Sequence, residues 1–311
     1  MSTRAYGAEA FSGGHLERRS DARADPDWPH KWLAAPDTRF IISQGTLHLV
    51  RREPQAQIVF VDADHPAVRN ADASQLLLLG WYRESACVLV DAVAPIEPPP
   101  GTELAELRPL LASLPHEEAV LLACARALLV WRARHRHCGV CGAPTMSHSA
   151  GHVLRCTSSE CGEEFFPRID PAIIVLVSDG DQALLGRQAS WPAGRYSALA
   201  GFVEVGENLE DAVIREVEEE TGVHVDQVRY FGSQPWPFPA SLMLGFHAHA
   251  TRGAPRLTGE LEDARWFSAA ELRAAPAAIL PPPHTIARAL IERWLADLDL
   301  EPGNRRPPPR L

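Results

Sequence analysis

Short β-branched runs alternate along this chain with longer segments of helical spacing. "RFIISQGTLHLV" (39–50) predicts two strands turning about Gln44-Gly45, and "AQIVFVDA" and "ACVLVDA" predict further short strands. "IEPPPG" breaks the pattern. "TELAELRPLLASL" follows with leucines at helical spacing (Leu104, Leu107, Leu111, Leu114). "PHEEAVLLACARALLVWRARH" predicts a strong helix, with Pro115 near its start and Glu117 and Glu118 in its first turn. Farther on, Ile173 to Val177 predicts a buried strand, "SDGD" a turn and "ALLGRQ" a returning strand. "YSALAGFVEVG" then leads into a helix expected over 208–221, with Gly222 as its stop. No internal repeat is visible.

These textures divide the 311 residues, a length for about two domains. An irregular lead-in is expected over 1–27 and a β-rich α+β domain over 28–136. A cysteine-bearing segment spans 137–166, an α/β domain 167–300, and a disordered proline-rich tail 301–311. The α+β domain carries no nameable motif, and a scaffold or dimerisation unit is its plain reading. Hydrophobic residues make up 46% of the chain and charged ones 23%, as in ordinary soluble globular proteins. The net charge of −10 argues against a dedicated duplex-binding protein, which needs a broad basic surface, although a local basic cleft is compatible with it. No apolar run of about 18 residues predicts a membrane span. The first residues lack an apolar signal core, and the last residues carry no retention or peroxisomal signal. A cytoplasmic location is the expectation. Six cysteines then point to reduced thiols or a metal site.

Cys138 and Cys141 form a Cys-x2-Cys knuckle, and Cys156 and Cys161 form a Cys-x4-Cys knuckle after a hairpin-length insert. Two such knuckles are a zinc-ribbon pattern, because zinc takes soft ligands in a tetrahedron and each tight turn supplies a pair. With four protein ligands the Zn²⁺ is structural, one per chain, with no open position for catalysis. The wider second knuckle leaves room for His148 or His152 to replace one cysteine. Cys87 and Cys124 lie alone in apolar segments and are expected in the core. A ribbon alone would equally suit a nucleic-acid-binding module.

Seven carboxylates fall between Glu207 and Glu220. Glu216, Glu219 and Glu220 stand at i, i+3 and i+4, on one helical face, where each raises the others' pKa. A divalent cation reverses that penalty, since its charge holds hard oxygens together. The apolar stripe of Val213, Ile214 and Val217 runs beside them and sets Glu216 and Glu220 at the edge of the core. Asp211 and Glu218 point away, into solvent. Arg215 stands eight residues after Glu207, at a distance from which it could pair with it and brace the preceding loop.

Gly201, Glu207, Arg215-Glu216, Val217, Glu219-Glu220, Gly222 and Val223 carry the spacing of the Nudix box without a departure. A chance match is on the order of 10⁻⁷ at background composition, so the chain resembles the Nudix family. The resemblance implies an α/β/α sandwich with a mixed sheet, Mg²⁺ or Mn²⁺, and hydrolysis of a nucleoside diphosphate linked to another moiety. It implies Glu216 and Glu220 as main metal ligands, Glu219 as a further ligand or the base, and the carbonyl of Ala200 as an additional ligand.

A second stretch, "SQPWPFPASLM" (233–243), resembles the array that marks the NADH pyrophosphatase subfamily. The preceding ribbon and the closing "LPPPHTIARALIERWL" also resemble that subfamily. The resemblance implies substrate contacts from Gln234, Pro235, Trp236, Pro237, Phe238, Pro239, Ala240 and Ser241. In residue terms, the prolines stiffen an extended segment. Trp236 and Phe238 offer faces to a base, and Gln234 and Ser241 offer hydrogen bonds. A Pro/aromatic plug closing the core is the plainer alternative. By the same resemblance Glu260 is a late metal ligand, with Glu262 as fallback. Ala287 touches substrate through its backbone, and Arg108 is a basic contact from the first domain. Phe166 stands where the subfamily has an aromatic hydroxyl, keeping stacking without the hydrogen bond, and Gly151 stands where it can have an acidic contact. The implied activity is hydrolysis of NAD⁺ or NADH to AMP and NMN or NMNH, with removal of NAD caps from RNA 5′ ends, by a homodimer. Two rivals are a broader dinucleotide or ADP-ribose pyrophosphatase and a zinc-ribbon regulator that senses nucleotides or binds nucleic acid.

Overall fold

A computed structural model describes residues 16–300; the proposed tail from 301 and the first half of the lead-in lie outside the described residues. The chain forms two units. Among the described residues the first holds 16–169 together with 236–240, and the second holds 170–235 and 241–300.

In the first unit, β1 (Leu16–Glu17), α1 (Trp28–Ala34), β2 (Arg39–Gln44), β3 (Leu47–Arg51), β4 (Gln57–Ile58), β5 (Phe60–Val61), α2 (Pro66–Arg69), β6 (Leu76–Tyr82), β7 (Ser85–Asp91), β8 (Glu103–Glu106), α3 (Leu107–Leu110) and α4 (His116–Arg134) follow in order. The sheet runs β1-β6-β7-β2-β3-β4, with β5 on β2 and β8 on β3. Strands β2 and β3 make the expected hairpin, and β2 runs parallel to β7. Phe40, Ile42, Leu49, Leu76, Leu78, Val88 and Val90 form its core. Three local expectations change. "AQIVFVDA" breaks at Val59 into two strands with different partners. Glu103–Glu106 is a strand, because its backbone pairs with β3, and the helix after it is a single turn. The lead-in, expected to be irregular, pairs Leu16 and Glu17 with β6.

The ribbon follows as β9 (Thr145–His148), β10 (Val153–Cys156) and β11 (Glu164–Phe165), an antiparallel sheet in the order β11-β10-β9.

The second unit contains β12 (Asp170–Asp179), β13 (Gln182–Arg187), β14 (Leu199–Phe202), α5 (Leu209–Thr221), β15 (Asp226–Trp236), β16 (Ser241–His249), β17 (Asp263–Ser268), α6 (Ala269–Ala274) and α7 (Ile286–Leu298). The sheet is mixed, in the order β15-β16-β12-β13-β17, with β14 on β12 and β12 parallel to β16. Alternate side chains of β12 face opposite ways. Ile173, Val175 and Val177 meet Val213 and Val217 of α5, while Ile174 and Leu176 meet Leu290 and Ile291 of α7. The result is the α/β/α sandwich with a mixed sheet.

The two units share one plan that the sequence does not display. Strand β2 pairs with β3, β5 and β7 as β12 pairs with β13, β14 and β16, and β8 lies on β3 as β17 lies on β13. Between β5 and β6 the first unit has the four-residue α2, "PAVR", and a 3-10 turn at Ala73–Gln75, where the second has the 13-residue acidic α5. The first unit therefore keeps the sheet and lacks the carboxylates.

Among the described residues no helix is long and apolar enough to cross a membrane.

Candidate active site

Helix α5 is capped by Asn208, whose side chain accepts from the Asp211 amide, and stopped by Gly222 at φ 65. Val213 and Val217 are fully buried and fix its rotation. That rotation places Glu216 (9% exposed) and Glu220 (4%) at the rim of the core, while Asp211 and Glu218 face solvent. One oxygen of Glu220 is buried without a hydrogen-bond partner. Burial, then the charges of Glu216 and Glu260, push its pKa up to about 8. Burial also raises that of Glu216, against the pull of Arg215. Glu260 lies in an exposed loop, close enough that its charge acts on both. Glu262 is instead committed to an ion pair with Arg187.

Arg215 organises the rest. Its Nε and Nη2 donate to the two oxygens of Glu207 at 2.7 and 2.8 Å. Nη1 donates to Glu216 and Glu219, both at 2.9 Å, and Nη2 reaches the Phe202 carbonyl at 2.9 Å. Hydrogen bonding from Arg215, helped by the Glu204 amide, draws the pKa of Glu207 down to about 2. One guanidinium thus ties the loop before α5 to its glutamate face. Ala200 and Gly201 lie in β14, opposite Ile174 and Ile173. A Cβ on Gly201 would stand 1.9 Å from the Glu216 carboxyl carbon, so only glycine allows that carboxylate its place. An orphaned carboxylate oxygen, a second buried carboxylate and a cradle cut for it fit a divalent cation bound by oxygen ligands.

The proline array is not the extended segment expected. Strand β15 carries it as far as Trp236, residues 237–240 turn, and β16 begins at Ser241. The turn belongs to the first unit. Trp236 and Phe238 meet edge to face at 5.1 Å between centroids. The Arg108 guanidinium lies 4.6 Å from the Phe238 ring centre and 5.7 Å from that of Trp236. Pro237 is buried, while Pro235 and Pro239 are exposed and Ala240 half-buried. Gln234 is held from within the fold. It is 1% exposed, its amide donates to the His284 carbonyl at 2.8 Å, and its oxygen accepts from the Ile286 amide at 2.9 Å. Its side chain fixes the start of α7. Ala287 is the second residue of that helix and is buried; its amide lies in the first turn, where amides have no partner within the helix.

Phe166 is 65% exposed and lines a cleft with Arg23, Ser149 and His152. Gly151 has φ +91, and a Cβ there would stand 2.6 Å from Leu77. A side chain is excluded by packing as well as by backbone conformation.

The ligand atoms of Cys138, Cys141, Cys156 and Cys161 all lie within 4.8 Å of one another. The amides of Val140 and Ser158 donate to the sulfurs of Cys138 and Cys156, both at 3.4 Å, as suits thiolates. His152 bonds the Leu78 carbonyl at 2.8 Å, and neither it nor His148 belongs to the cluster. The four sulfurs fit zinc. Cys138→Ser is expected to lower zinc content, measured by elemental analysis, and folding stability together, since a structural zinc contributes to folding directly. Full zinc occupancy in that variant would remove Cys138 from the ligand set. Cys87 is a core residue as expected, but Cys124 is half-buried and accepts from Arg18 at 3.3 Å.

Arg126 escaped the sequence reading. Its Nη1 donates to the Pro237 carbonyl at 2.7 Å, and its guanidinium lies 4.9 Å from the Phe238 ring centre. The available signal was an arginine inside the apolar run "AVLLACARALLV".

Three family models match the chain. They are the NUDIX domain over residues 168–290, the NADH pyrophosphatase-like rudimentary NUDIX domain over 32–131 and the NADH pyrophosphatase zinc ribbon domain over 133–166. The chain is similar to the NAD-capped RNA hydrolase NudC of Pseudomonas aeruginosa (strain LESB58), with 43% identity over 218 residues, 70% of this chain and 75% of the relative. It is also similar to the NAD-capped RNA hydrolase NudC of Mycobacterium bovis (strain BCG / Pasteur 1173P2), with 45% identity over 223 residues, 66% of this chain and 70% of the relative. A solved NUDIX hydrolase from Nitrosomonas europaea matches with a TM-score of 0.44 at 17% identity, over 52% of this chain and 91% of that one.

Proposed function

Because the chain belongs to the Nudix family, in its NADH pyrophosphatase branch, we propose that it hydrolyses the pyrophosphate of NAD⁺ and NADH to AMP and NMN or NMNH. The same cut on a longer substrate removes NAD caps from RNA 5′ ends. The observation that carries the reading is Glu220, a buried carboxylate with an unpartnered oxygen beside Glu216. Bound there, Mg²⁺ or Mn²⁺ would supply neutralisation of the pyrophosphate oxygens and a more acidic attacking water. Glu216, Glu220, Glu260 and the Ala200 carbonyl hold the cation, with Glu219 a further ligand or the base that takes the water's proton. Arg215 keeps Glu216 and Glu219 in place. Trp236 and Phe238 present ring faces to a base, with Arg108 beside them for a phosphate or ring. Ser241, Phe166 and the backbone of Pro235, Pro237, Pro239, Ala240 and Ala287 complete the contacts. The domains run 28–136, 137–166 and 167–300, and the enzyme works as a cytoplasmic homodimer with one structural zinc per chain.

The test is product analysis of the purified, zinc-loaded protein with Mg²⁺ or Mn²⁺ against NADH, NAD⁺, NAD-capped RNA, ADP-ribose and FAD. AMP with NMNH or NMN is the expected outcome. Equal rates on ADP-ribose and FAD would make it a general dinucleotide pyrophosphatase, and no hydrolysis at all would leave a nucleotide sensor.

A further inference from the structure

The end of β15 and the turn at 237–240 have an unusual backbone problem. Pro235, Pro237 and Pro239 have no amide hydrogen, so the turn has few donors of its own. Within it the Phe238 amide bonds the Trp236 carbonyl at 2.7 Å. The buried Pro237 carbonyl is satisfied from outside, by Arg126 on α4 at 2.7 Å. The same guanidinium lies 4.9 Å from the Phe238 ring centre. Its other end lies 3.9 Å from Glu106, and Glu106 accepts from the Thr46 hydroxyl at 2.6 Å. The Arg126 side chain is 14% exposed, with its Nε unpartnered. Thr46, Glu106 and Arg126 thus form a chain of contacts, anchored on β8 and α4, that ends on the turn carrying both aromatic rings.

We propose that Arg126 is a positioning residue for nucleotide recognition: it holds the Pro237 carbonyl and the Phe238 ring, and so sets the pose in which the rings meet a base. This rests on the reading of the array as the base-binding surface. The guanidinium suits the task because it donates in its plane while its face lies against a ring, which an ammonium cannot reproduce. A turn held before the substrate arrives needs less ordering on binding. The contribution is made equally in ground and transition states, so its loss falls on KM.

The test compares Arg126→Met and Arg126→Lys with the parent in the full-length, zinc-loaded protein. Arg126→Met is expected to raise KM for NADH about 10–100-fold, the range for a lost charge-assisted hydrogen bond, with kcat little changed. Arg126→Lys should recover part of the loss. Hydrolysis of a base-free dialkyl pyrophosphate should not change. Equal losses on both substrates, or an unchanged KM, overturn the proposal. Hydrogen exchange of the 233–243 segment gives a readout independent of activity. Faster exchange in Arg126→Met, with zinc content retained, supports positioning; unchanged exchange overturns it. If the parent does not cleave NADH, the functional reading fails, and the exchange result still decides the role of Arg126.

Discussion

Glu220→Gln is expected to lower kcat by about 10²–10⁴, as for loss of a metal ligand or general base, while Glu218→Gln stays nearly silent. The two residues are near neighbours on α5 and differ in direction. Glu218 faces solvent, while Glu220 is 4% exposed with an orphaned oxygen. Glutamine keeps the shape and removes the charge, so the contrast reports on chemistry more than on packing. Equal losses at both positions in turnover assays would sink the assignment of faces. A proton count gives a second readout. Burial and two neighbouring carboxylates hold the Glu220 pKa at about 8, above its ordinary 4.5. At pH 7 the metal-free protein therefore carries that proton, and cation binding must release it. Calorimetry in buffers of different ionisation enthalpy should detect the release in the parent and lose it in Glu220→Gln. Folding responds in the matching direction. Between 4.5 and about 8 the unfolded chain has given up this proton and the folded chain has not. Raising pH across that window lowers the stability of the metal-free protein.

The glutamate face was legible because helical geometry turns spacing into direction, and the stripe of Val213 and Val217 left only one face to bury. The pairing of Arg215 with Glu207 was open to the same reasoning. What the sequence hid depends on partners far along the chain. Leu76–Leu79 is an unbroken apolar run with no period, so β6 escaped notice. Glu103–Glu106 fits helical spacing through Leu104 and Leu107, yet β3 offers its backbone a ladder, and pairing outweighs local preference. That His284 and Ile286, some fifty residues away, take the Gln234 amide is not visible in the residues near it. The shared plan of the two units was invisible for a related reason. A sheet's pairing order needs only suitable strands in order, and many sequences satisfy that.

Gly201→Ala is expected to lower activity or metal affinity about 10²-fold, at the upper end of what displaced support for a metal ligand costs. The backbone at Gly201 is not of the left-handed kind that disfavours side chains, so the effect must come from contact. The added methyl would lie 1.9 to 2.1 Å from three atoms of the Glu216 carboxyl group, well inside contact distance. Either Glu216 leaves its place or β14 shifts away from α5. Overpacking of this kind also costs about 1–3 kcal/mol of stability, so melting should be measured beside turnover. Gly253→Ala is the matched control, since a Cβ there meets nothing within 4 Å. The cause can be isolated by shortening the partner. Glu216→Asp withdraws the carboxyl group by one methylene and will itself impair the site. If the clash is the mechanism, adding Gly201→Ala to Glu216→Asp should do little further harm, and the two changes will be strongly non-additive. If instead the losses multiply, the methyl acts through β14 and not through Glu216, and the close fit between Gly201 and that carboxylate is not what the site depends on.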